Sequence, residues 1–189
     1  MLRKTTLWTL VILFFSTGLA MASNYTVKAE HPGGNVTPLQ AYEMMQKDPV
    51  HTFIVDIRTR YEYQDIGHPV GAYNIPYKFY TTEMDAKGYK KVLNKNFKKD
   101  LLARFNPKTD RLLLICRSGK RSCGAVKAAI EAGFKPEMIY NVMGGVEGDK
   151  IKDKSNPHYG QRLVNGWKME NLPWTYNMDS KLMYQNDIM

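Results

Sequence analysis

The sequence predicts an α/β fold with a mostly parallel central sheet of about five strands and helices on both faces. Three short, uninterrupted apolar runs, 52–57, 111–115 and 138–142, carry this prediction. Each run has the length of a buried strand, and segments with helical spacing separate them. Uninterrupted apolar strands are typical of parallel sheets, because helices cover both faces of such a sheet.

The first helix is predicted by its start and stop signals. Thr37 is a suitable N-cap, Pro38 fits the first helical position, and Gln40 completes a capping box. Apolar residues then recur at helical spacing until Pro49, which cannot continue a helix. We therefore predict a helix that begins after Thr37 and stops before Pro49.

Two further elements are predicted between the first two apolar runs, and a third follows Cys116. Residues 71–76 could form an edge strand. Residues 96–105 place three apolar side chains on one helical face. After Cys116 the apolar spacing again indicates a helix, which Gly133 would close in the C-cap region.

The C-terminal part gives weaker signals. Residues 149–160 are polar and are predicted to form a loop, and Leu163 and Trp167, four residues apart, indicate one last helix before Pro173. The predicted division of the chain is a signal peptide (1–22), an extended leader (23–36), the folded domain (37–176) and a C-terminal tail (177–189).

Residues 1–22 have the organisation of a secretory signal. Two basic residues precede an apolar run over 7–15, and the small residues Ala20 and Ala22 match the A-x-A cleavage pattern. The alternative is an uncleaved membrane anchor, but the uncharged stretch is at the short limit for a bilayer. We predict cleavage after Ala22, no stable membrane insertion afterwards, and a periplasmic location.

The composition excludes several classes of protein. Of the 189 residues, 43% are hydrophobic and 24% are charged, which excludes a disordered or collagen-like chain. Two cysteines cannot build a disulfide framework. The net charge of +9 would suit nucleic acid, acidic lipid or a small anion. We interpret the lysine-rich stretch 87–99 as a solvated face and Trp167, Trp174 and Tyr176 as packing residues, and therefore predict no nucleic-acid partner.

The segment around Cys116 carries the chemistry. An apolar strand runs directly into Cys116, which opens a short loop rich in cationic and small residues before the next helix. Strand carboxyl ends and helix N-termini are where parallel α/β folds bind anions. A thiol beside Arg117, Lys120 and Arg121 should have a pKa below its ordinary value. We predict that Cys116 is an ionised nucleophile, whereas a lone cysteine without such neighbours would be an inert buried residue.

Two reactions are compatible with a strand, cysteine loop and helix. Phosphatase or arsenate-reductase chemistry uses a loop with one more residue before its arginine; here Arg121 comes after four residues and Ser122 occupies the next position. A tighter loop is better suited to attack by the thiolate on the outer sulfur of a thiosulfonate-like anion. Sulfur transfer is therefore favoured and cysteine phosphatase chemistry remains the alternative.

The chain resembles the rhodanese-like sulfurtransferases over roughly residues 37–174. The stretches that carry the resemblance are 55–58, 62–63, 67–68, 71–72, 74–76, the cysteine loop, 141–145, Trp167 and 172–173. One extra residue before Gly67, the Pro69-Val70 pair and the apparent insertion 149–160 depart from the family pattern. These departures affect loops and leave the nucleophile in place.

The resemblance implies a persulfide on Cys116, formed from thiosulfate or a similar small anionic donor and passed to cyanide or a thiol. A protein thiol partner is a further candidate acceptor, and a persulfide carrier or sensor without turnover is an alternative function. The family needs neither a metal nor an organic cofactor. It also implies that Asp56 and Arg58 support the loop. The implied substrate-binding residues are Arg117, Ser118, Gly119, Lys120, Arg121 and Ser122.

Cys123 and the histidines have simpler interpretations. Cys123 could resolve a persulfide as a disulfide, but a small buried residue is favoured. His68 is predicted to be a structural hydrogen-bonding residue. The four histidines have no metal-ligand spacing, so no metal site is predicted.

Overall fold

The computed structural model describes residues 25–86 and 88–185. Its helices are α1 (Pro38–Lys47), α2 (Arg60–Asp65), α3 (Phe97–Leu102) and α4 (Lys120–Glu131), with a 3-10 turn at Pro136–Met138. Its strands are β1 (Gly34–Val36), β2 (Thr52–Asp56), β3 (His68–Pro69), β4 (Tyr73–Asn74), β5 (Lys78–Asp85), β6 (Gly88–Leu93), β7 (Arg111–Ile115), β8 (Ile139–Val142), β9 (Asp149–Lys150), β10 (Arg162–Val164) and β11 (Trp174–Thr175).

The central sheet has five strands in the order β1-β8-β7-β2-β4, and every neighbouring pair is parallel. This confirms the predicted α/β class and the predicted size of the sheet. The three apolar runs form β2, β7 and β8 at its centre, and the predicted edge strand is β4. Because β7 has a partner on each side, its carboxyl end lies in the middle of the sheet edge.

Helices cover both faces of the sheet, and alternate residues of β7 face the two resulting cores. Leu112 and Leu114 belong to the cluster that contains apolar residues of α3 and α4. Leu113 and Ile115 belong to the other cluster, which contains Ala41 of α1 and Tyr63 of α2. Successive strand residues point to opposite faces. An uninterrupted apolar run is therefore the pattern that a strand buried on both faces requires.

The capping box predicted for α1 is present. The Gln40 N–H donates to Thr37 Oγ1 at 3.2 Å, and the Thr37 N–H donates to Gln40 Oε1 at 2.9 Å. Pro38 occupies the first turn, and the helix ends at the C-cap residue Asp48, directly before Pro49. Local signals thus determined both ends of this helix.

The predicted helix around Leu163 and Trp167 is wrong. Leu163 lies in β10, which pairs with β9 in a short antiparallel hairpin, so the predicted loop 149–160 also begins with a strand. Asn165 and Gly166 follow with φ values of 60° and 95°, which no right-handed helix accommodates. Trp167 is buried from a turn instead, whereas Leu163 is 41% exposed, so the two residues do not share a buried face.

A second antiparallel hairpin, β5 and β6, was not predicted. Its strands pair from Lys78↔Leu93 to Asp85↔Gly88, with an irregularity after Tyr80. Most of its side chains are exposed, so it lacks the apolar alternation that reveals a half-buried strand. Part of the lysine-rich stretch 87–99 forms β6 of this hairpin. Residue 87 lies outside the described residues.

The segments that flank the predicted domain pack against it. β1, the last part of the predicted leader, forms the sheet edge beside β8. In the predicted tail, the Leu182 carbonyl accepts a hydrogen bond from the Asn74 N–H at 2.8 Å, and Tyr184 is buried. The predicted signal segment, 1–22, lies outside the described residues. None of the helices within 25–86 and 88–185 is long and apolar enough to cross a membrane.

Candidate active site

Cys116 directly follows β7 and lies in the short loop that leads into α4. Gly119 forms the N-cap of α4 with a φ of 88°, a left-handed conformation that glycine adopts without a steric cost. Cys116 is almost fully buried, yet it lines a cleft of about 630 Å³. The cleft is lined by Tyr77, Lys78, Tyr80, Lys91, Cys116, Arg117, Ser118, Lys120, Arg121, Gly124 and Arg162.

The Cys116 sulfur has two polar neighbours from its own loop and helix. The Gly119 N–H donates to Sγ at 3.2 Å, and Ser122 Oγ lies 3.4 Å from Sγ. No side chain caps the N-terminus of α4, so the first-turn N–H groups are left for an anion. These N–H groups and the nearby cations create a positive electrostatic environment at the carboxyl end of β7.

Ser122 connects the sulfur to two amide side chains, the buried Asn141 and the exposed Asn35. Its hydroxyl lies 2.5 Å from Asn141 Oδ1, and Asn141 Nδ2 donates to Asn35 Oδ1 at 3.0 Å. The nitrogen of the Asn141 side-chain amide donates to Asn35. The oxygen of the same amide, Oδ1, therefore accepts a hydrogen bond from the Ser122 hydroxyl. The hydroxyl has one hydrogen, so it can serve either Asn141 or the Cys116 sulfur at any moment. Gly119 is therefore the neighbour that donates to the sulfur in either arrangement.

The cysteine loop is held in place by the segment that follows β8. The Val146 N–H donates to the Cys116 carbonyl at 2.8 Å, and the Glu147 N–H donates to the Arg117 carbonyl at 3.0 Å. A Cβ atom on Gly145 would lie 2.3 Å from the Cys116 carbonyl oxygen and 2.6 Å from Ser118 N. The loop can approach this segment only because residue 145 has no side chain.

Two of the predicted cations have carboxylate partners. Arg121 donates two hydrogen bonds to Glu62, from Nη1 at 2.8 Å and from Nη2 at 2.5 Å. Arg117 Nε donates to Glu147 Oε2 at 3.1 Å. The sequence interpretation placed both arginines beside the sulfur without these partners. Arg121 is therefore a fixed charge, whereas Arg117 is held through Nε and its side chain is 44% exposed.

The Arg121–Glu62 pair shifts both pKa values. Burial opposes ionisation of Glu62, but hydrogen bonding and charge from Arg121 outweigh it, and its pKa falls to about 2. Burial also opposes the charged form of Arg121. Glu62 and negative charge on Cys116 overcome that effect and raise the pKa of Arg121 above its ordinary value. Arg121 therefore remains cationic near the sulfur at all relevant pH values.

Asp56 and Arg58 form a fully buried ion pair beneath the loop segment. Arg58 Nη2 donates to Asp56 Oδ2 at 2.6 Å and to the Gly67 carbonyl at 2.7 Å. Arg58 Nη1 lies 3.8 Å from Glu147 Oε1, the carboxylate that also holds Arg117. Neither residue lines the Cys116 cleft. This placement suits the supporting role that the family resemblance implied.

The other predicted residues fall into two groups. Ser118 and Lys120 line the cleft with Cys116. Cys123 is buried and not in a disulfide; its Sγ donates to the Gly119 carbonyl at 3.2 Å, and burial raises its pKa. His68 Nδ1 lies 2.9 Å from the Tyr63 carbonyl oxygen, and its ring stacks on that of Tyr63, away from the cleft. No group of metal-ligating side chains was found within 25–86 and 88–185.

Comparison with known proteins decides the family. The model of the rhodanese-like domain matches residues 37–152, well over half of the chain. This chain belongs to the rhodanese-like domain family. Membership places it among proteins of sulfur-transfer and cysteine chemistry, as the resemblance in its sequence predicted.

Several known proteins are similar to this chain. An uncharacterised protein of Rickettsia rickettsii is 32% identical over 143 residues, which are 75% of this chain and 97% of its own length. Rhodanese-like domain-containing protein 17 of Arabidopsis thaliana is 36% identical over 100 residues, covering 52% of this chain and 57% of its own. The crystal structure of Rv0390 from M. tuberculosis superposes with a TM-score of 0.59 at 31% identity, covering 78% of this chain and all of that chain.

Several residues of this rhodanese-like site were missed by sequence reasoning. Glu62 had a local signal, since it completes a capping box with Thr59, but that signal says nothing about Arg121, 59 residues away. Asn141 belongs to the motif that resembles the family, yet its hydrogen bond to Ser122 depends on the pairing of β8 with β7. Such contacts arise only from tertiary structure.

We predict that Glu62→Gln loses roughly 3 kcal/mol of unfolding free energy at pH 7, because the folded state lowers the Glu62 pKa from 4.5 to about 2. Gln preserves the capping box with Thr59. A depressed carboxyl pKa stabilises above pH 4.5 and loses its effect as the pH falls towards 2. The difference between wild type and variant, measured by urea unfolding, should therefore fall to less than half by about pH 3.

The matched control for Glu62 is Glu83→Gln. Glu83 pairs with Lys90 at 2.8 Å, but both side chains are well exposed, so the expected loss is about 0.5 kcal/mol or less. A Glu62→Gln effect that is as small as this control, or that stays constant between pH 7 and pH 3, would contradict a charge-based role for the pair.

A second prediction concerns Gly145→Ala, which we expect to destabilise the fold and to slow any reaction of Cys116. The added Cβ collides with the backbone of the cysteine loop, and a φ of 62° is unfavourable for alanine. Gly71→Ala is the control, because Gly71 has a φ of 76° with nothing within 4 Å. Gly71→Ala should cost about 1–2 kcal/mol in urea unfolding, and Gly145→Ala clearly more. Equal losses would show that the close approach at Gly145 is unimportant.

Proposed function

We propose that this protein is a sulfurtransferase that carries sulfane sulfur as a persulfide on Cys116 between a small anionic donor such as thiosulfate and a cyanide or thiol acceptor. One observation carries the proposal: the Cys116 sulfur accepts an N–H from the N-cap of α4 and lines a cleft rich in cations. A positive environment of this kind suits an anionic substrate next to the sulfur.

In the first step, the Cys116 thiolate attacks the outer sulfur of thiosulfate. A bond forms between the two sulfurs, the original sulfur–sulfur bond of thiosulfate breaks, and its electron pair leaves with sulfite. Charge is conserved, because the thiolate becomes a persulfide anion and thiosulfate becomes sulfite. The Gly119 N–H and the first-turn N–H groups of α4 stabilise the negative charge as it moves outward.

In the second step, cyanide or a thiolate attacks the outer sulfur of the persulfide. The bond between the two sulfurs of the persulfide breaks, and its electron pair returns to Cys116 as the thiolate. The Ser122 hydroxyl, 3.4 Å from Sγ, can turn its single hydrogen from Asn141 towards the returning charge. Arg121 contributes a fixed positive charge throughout, because Glu62 holds it in place.

The same geometry argues against phosphatase chemistry. A cysteine phosphatase requires a free guanidinium fork to bind the equatorial oxygens of the phosphoryl group. Glu62 occupies the donor edge formed by Nη1 and Nη2 of Arg121, and Glu147 accepts from Nε of Arg117. Each arginine already faces a carboxylate, whose negative charge opposes a phosphoryl dianion, so a thiolate and a single transferring sulfur atom are better matched to this loop than a phosphoryl group.

The direct test is the intact mass of the protein after incubation with thiosulfate. We expect one additional sulfur atom, removed by a thiol reductant or by cyanide with formation of thiocyanate. Cys116→Ala should gain no sulfur, whereas Cys123→Ala should gain it as the wild type does. Cys123 is a matched control because it is a second buried thiol at the start of the same helix.

Three results would refute the proposal. These are no added sulfur in the wild type, sulfur retained in Cys116→Ala, or hydrolysis of an aryl phosphate in the absence of any sulfur uptake. Sulfur uptake without thiocyanate formation from cyanide would instead reduce the function to that of a persulfide carrier.

A further inference from the structure

A line of side-chain hydrogen bonds connects the Cys116 sulfur to the predicted leader, the segment that precedes α1. Ser122 Oγ lies 3.4 Å from Sγ and 2.5 Å from Asn141 Oδ1. Asn141 Nδ2 donates to Asn35 Oδ1 at 3.0 Å, and His31 Nε2 lies 2.9 Å from the same oxygen. A change in the leader can therefore reach the reactive sulfur through polar groups alone.

The register of two strands brings Asn35 to this position. β1 and β8 are parallel, and Asn35 lies opposite Asn141. Opposite residues of neighbouring strands have their side chains on the same face of the sheet. Asn141 and Ser122 are buried, whereas Asn35 is exposed at the edge of the sheet. Asn35 also precedes residues 37–152, the part that the family model matches, so the leader adds a side chain from outside that part.

The Asn35 oxygen fixes the direction in which the Asn141 amide faces. An amide oxygen can only accept hydrogen bonds, and Oδ1 of Asn35 has a partner for each of its two lone pairs, Asn141 and His31. Nδ2 of Asn141 therefore faces Asn35, and Oδ1 of Asn141 faces Ser122. This oxygen attracts the single hydrogen of the Ser122 hydroxyl and draws it away from the Cys116 sulfur.

An Asn141 amide that faced the other way would reverse the arrangement. Nδ2 would donate to Ser122 Oγ, and the hydroxyl hydrogen would be left for the Cys116 sulfur. The sulfur would then accept from both Gly119 and Ser122, and two hydrogen bonds stabilise a thiolate more than one does. A thiolate stabilised in this way is a weaker nucleophile and a better leaving group.

We infer that Asn35 is a positioning residue for Cys116 and that it favours loading of the sulfur over its discharge. The inference rests on the proposed function, in which loading is sulfur transfer to Cys116 and discharge is transfer to the acceptor. The thiolate carries its charge on Sγ, whereas the persulfide anion carries it on the outer sulfur. A hydrogen bond to Sγ therefore stabilises the thiolate more than the persulfide. Because Asn35 keeps the Ser122 hydrogen on Asn141, the thiolate is more reactive and its return is slower.

The test measures the two half-reactions separately in Asn35→Ala. Loading is followed by intact mass after rapid mixing with thiosulfate, and discharge by thiocyanate formed from the loaded protein and cyanide. Water in place of the Asn35 side chain can donate as well as accept, so it no longer fixes the Asn141 amide. We expect loading to slow about fivefold and discharge to become about threefold faster, because the sulfur gains a hydrogen bond.

Two variants control for the hydrogen bond and for the leader. Asn35→Asp keeps the acceptor, since a carboxylate oxygen still accepts from Asn141 and His31, and it should restore both wild-type rates. Lys28→Ala removes an ion pair with Asp149 that also ties the leader to the domain. Lys28 is not part of the line of hydrogen bonds to the sulfur, so both rates should stay at their wild-type values.

A Ser122→Ala background removes the hydrogen through which Asn35 acts. Alanine is a good helix former and is smaller than serine, so α4 should retain its structure. In this background Asn35→Ala should change neither rate further, which a double-mutant cycle measures. An effect of Asn35 that came from general loosening of the sheet edge would persist.

Alkylation of Cys116 by iodoacetamide, located by peptide mass, reports the nucleophilicity of the sulfur without a sulfur donor. It should slow about fivefold in Asn35→Ala, as loading does. Loading and discharge that change in the same direction, unchanged alkylation, or equal effects of Lys28→Ala would overturn the inference while the wild type still transferred sulfur. No sulfur uptake by the wild type would instead overturn the proposed function, and slower alkylation would still support the positioning of Cys116 by Asn35.

Discussion

The site depends on one constraint, the close approach of two backbone segments at the carboxyl ends of neighbouring parallel strands. β7 delivers Cys116 and β8 delivers the Gly144-Gly145 turn, and their pairing sets the distance between the two. Hydrogen bonds from Val146 and Glu147 then fix the cysteine loop. This backbone contact, and not a side chain of the loop, sets the direction of α4. It therefore also sets the direction in which the first-turn N–H groups point towards the sulfur.

Charge is arranged around that contact in two layers. Beneath the loop, Asp56 and Arg58 are fully buried, an arrangement whose desolvation cost is offset only by good geometry and additional hydrogen bonds. Arg58 bonds to Asp56 and to the Gly67 carbonyl, while its Nη1 makes no hydrogen bond and is compensated by the charge of Glu147 at 3.8 Å. Glu147 and Glu62 in turn fix the arginines of the loop. These paired charges hold the loop in place, and further positive charge around the cleft comes from Lys78, Lys91, Lys120 and Arg162.

The sequence predicted those parts of the molecule whose signals are local. Thr37, Pro38 and Gln40 act within one helical turn, so their effect on α1 could be deduced from neighbours alone. Uninterrupted apolar runs identified the central strands because burial on both faces removes polar residues. Cys116 and its loop could be recognised for the same reason, since the strand, the cysteine, the cations and the helix start are contiguous.

Features that depend on tertiary contacts were missed or mispredicted. Trp167 is apolar at helical spacing from Leu163, but the left-handed residues Asn165 and Gly166 between them divide a strand from a turn. The hairpin of β5 and β6 exposes most of its side chains and so has little periodic pattern to detect. The partners Glu62 and Arg121 are 59 positions apart, and only the fold brings them together.

The same electrostatics distinguish the two cysteines. For Cys123 to resolve a persulfide on Cys116, its thiolate would have to attack the inner sulfur and expel hydrosulfide. Burial raises the pKa of Cys123, and negative charge on Cys116 raises it further, so a charged sulfur on Cys116 keeps its neighbour protonated. The Cys123 thiol also donates to the Gly119 carbonyl, while the Gly119 N–H donates to Cys116. The N-cap residue Gly119 thus presents its N–H to the reactive sulfur and its carbonyl to the second thiol, which leaves the proposed persulfide to external acceptors.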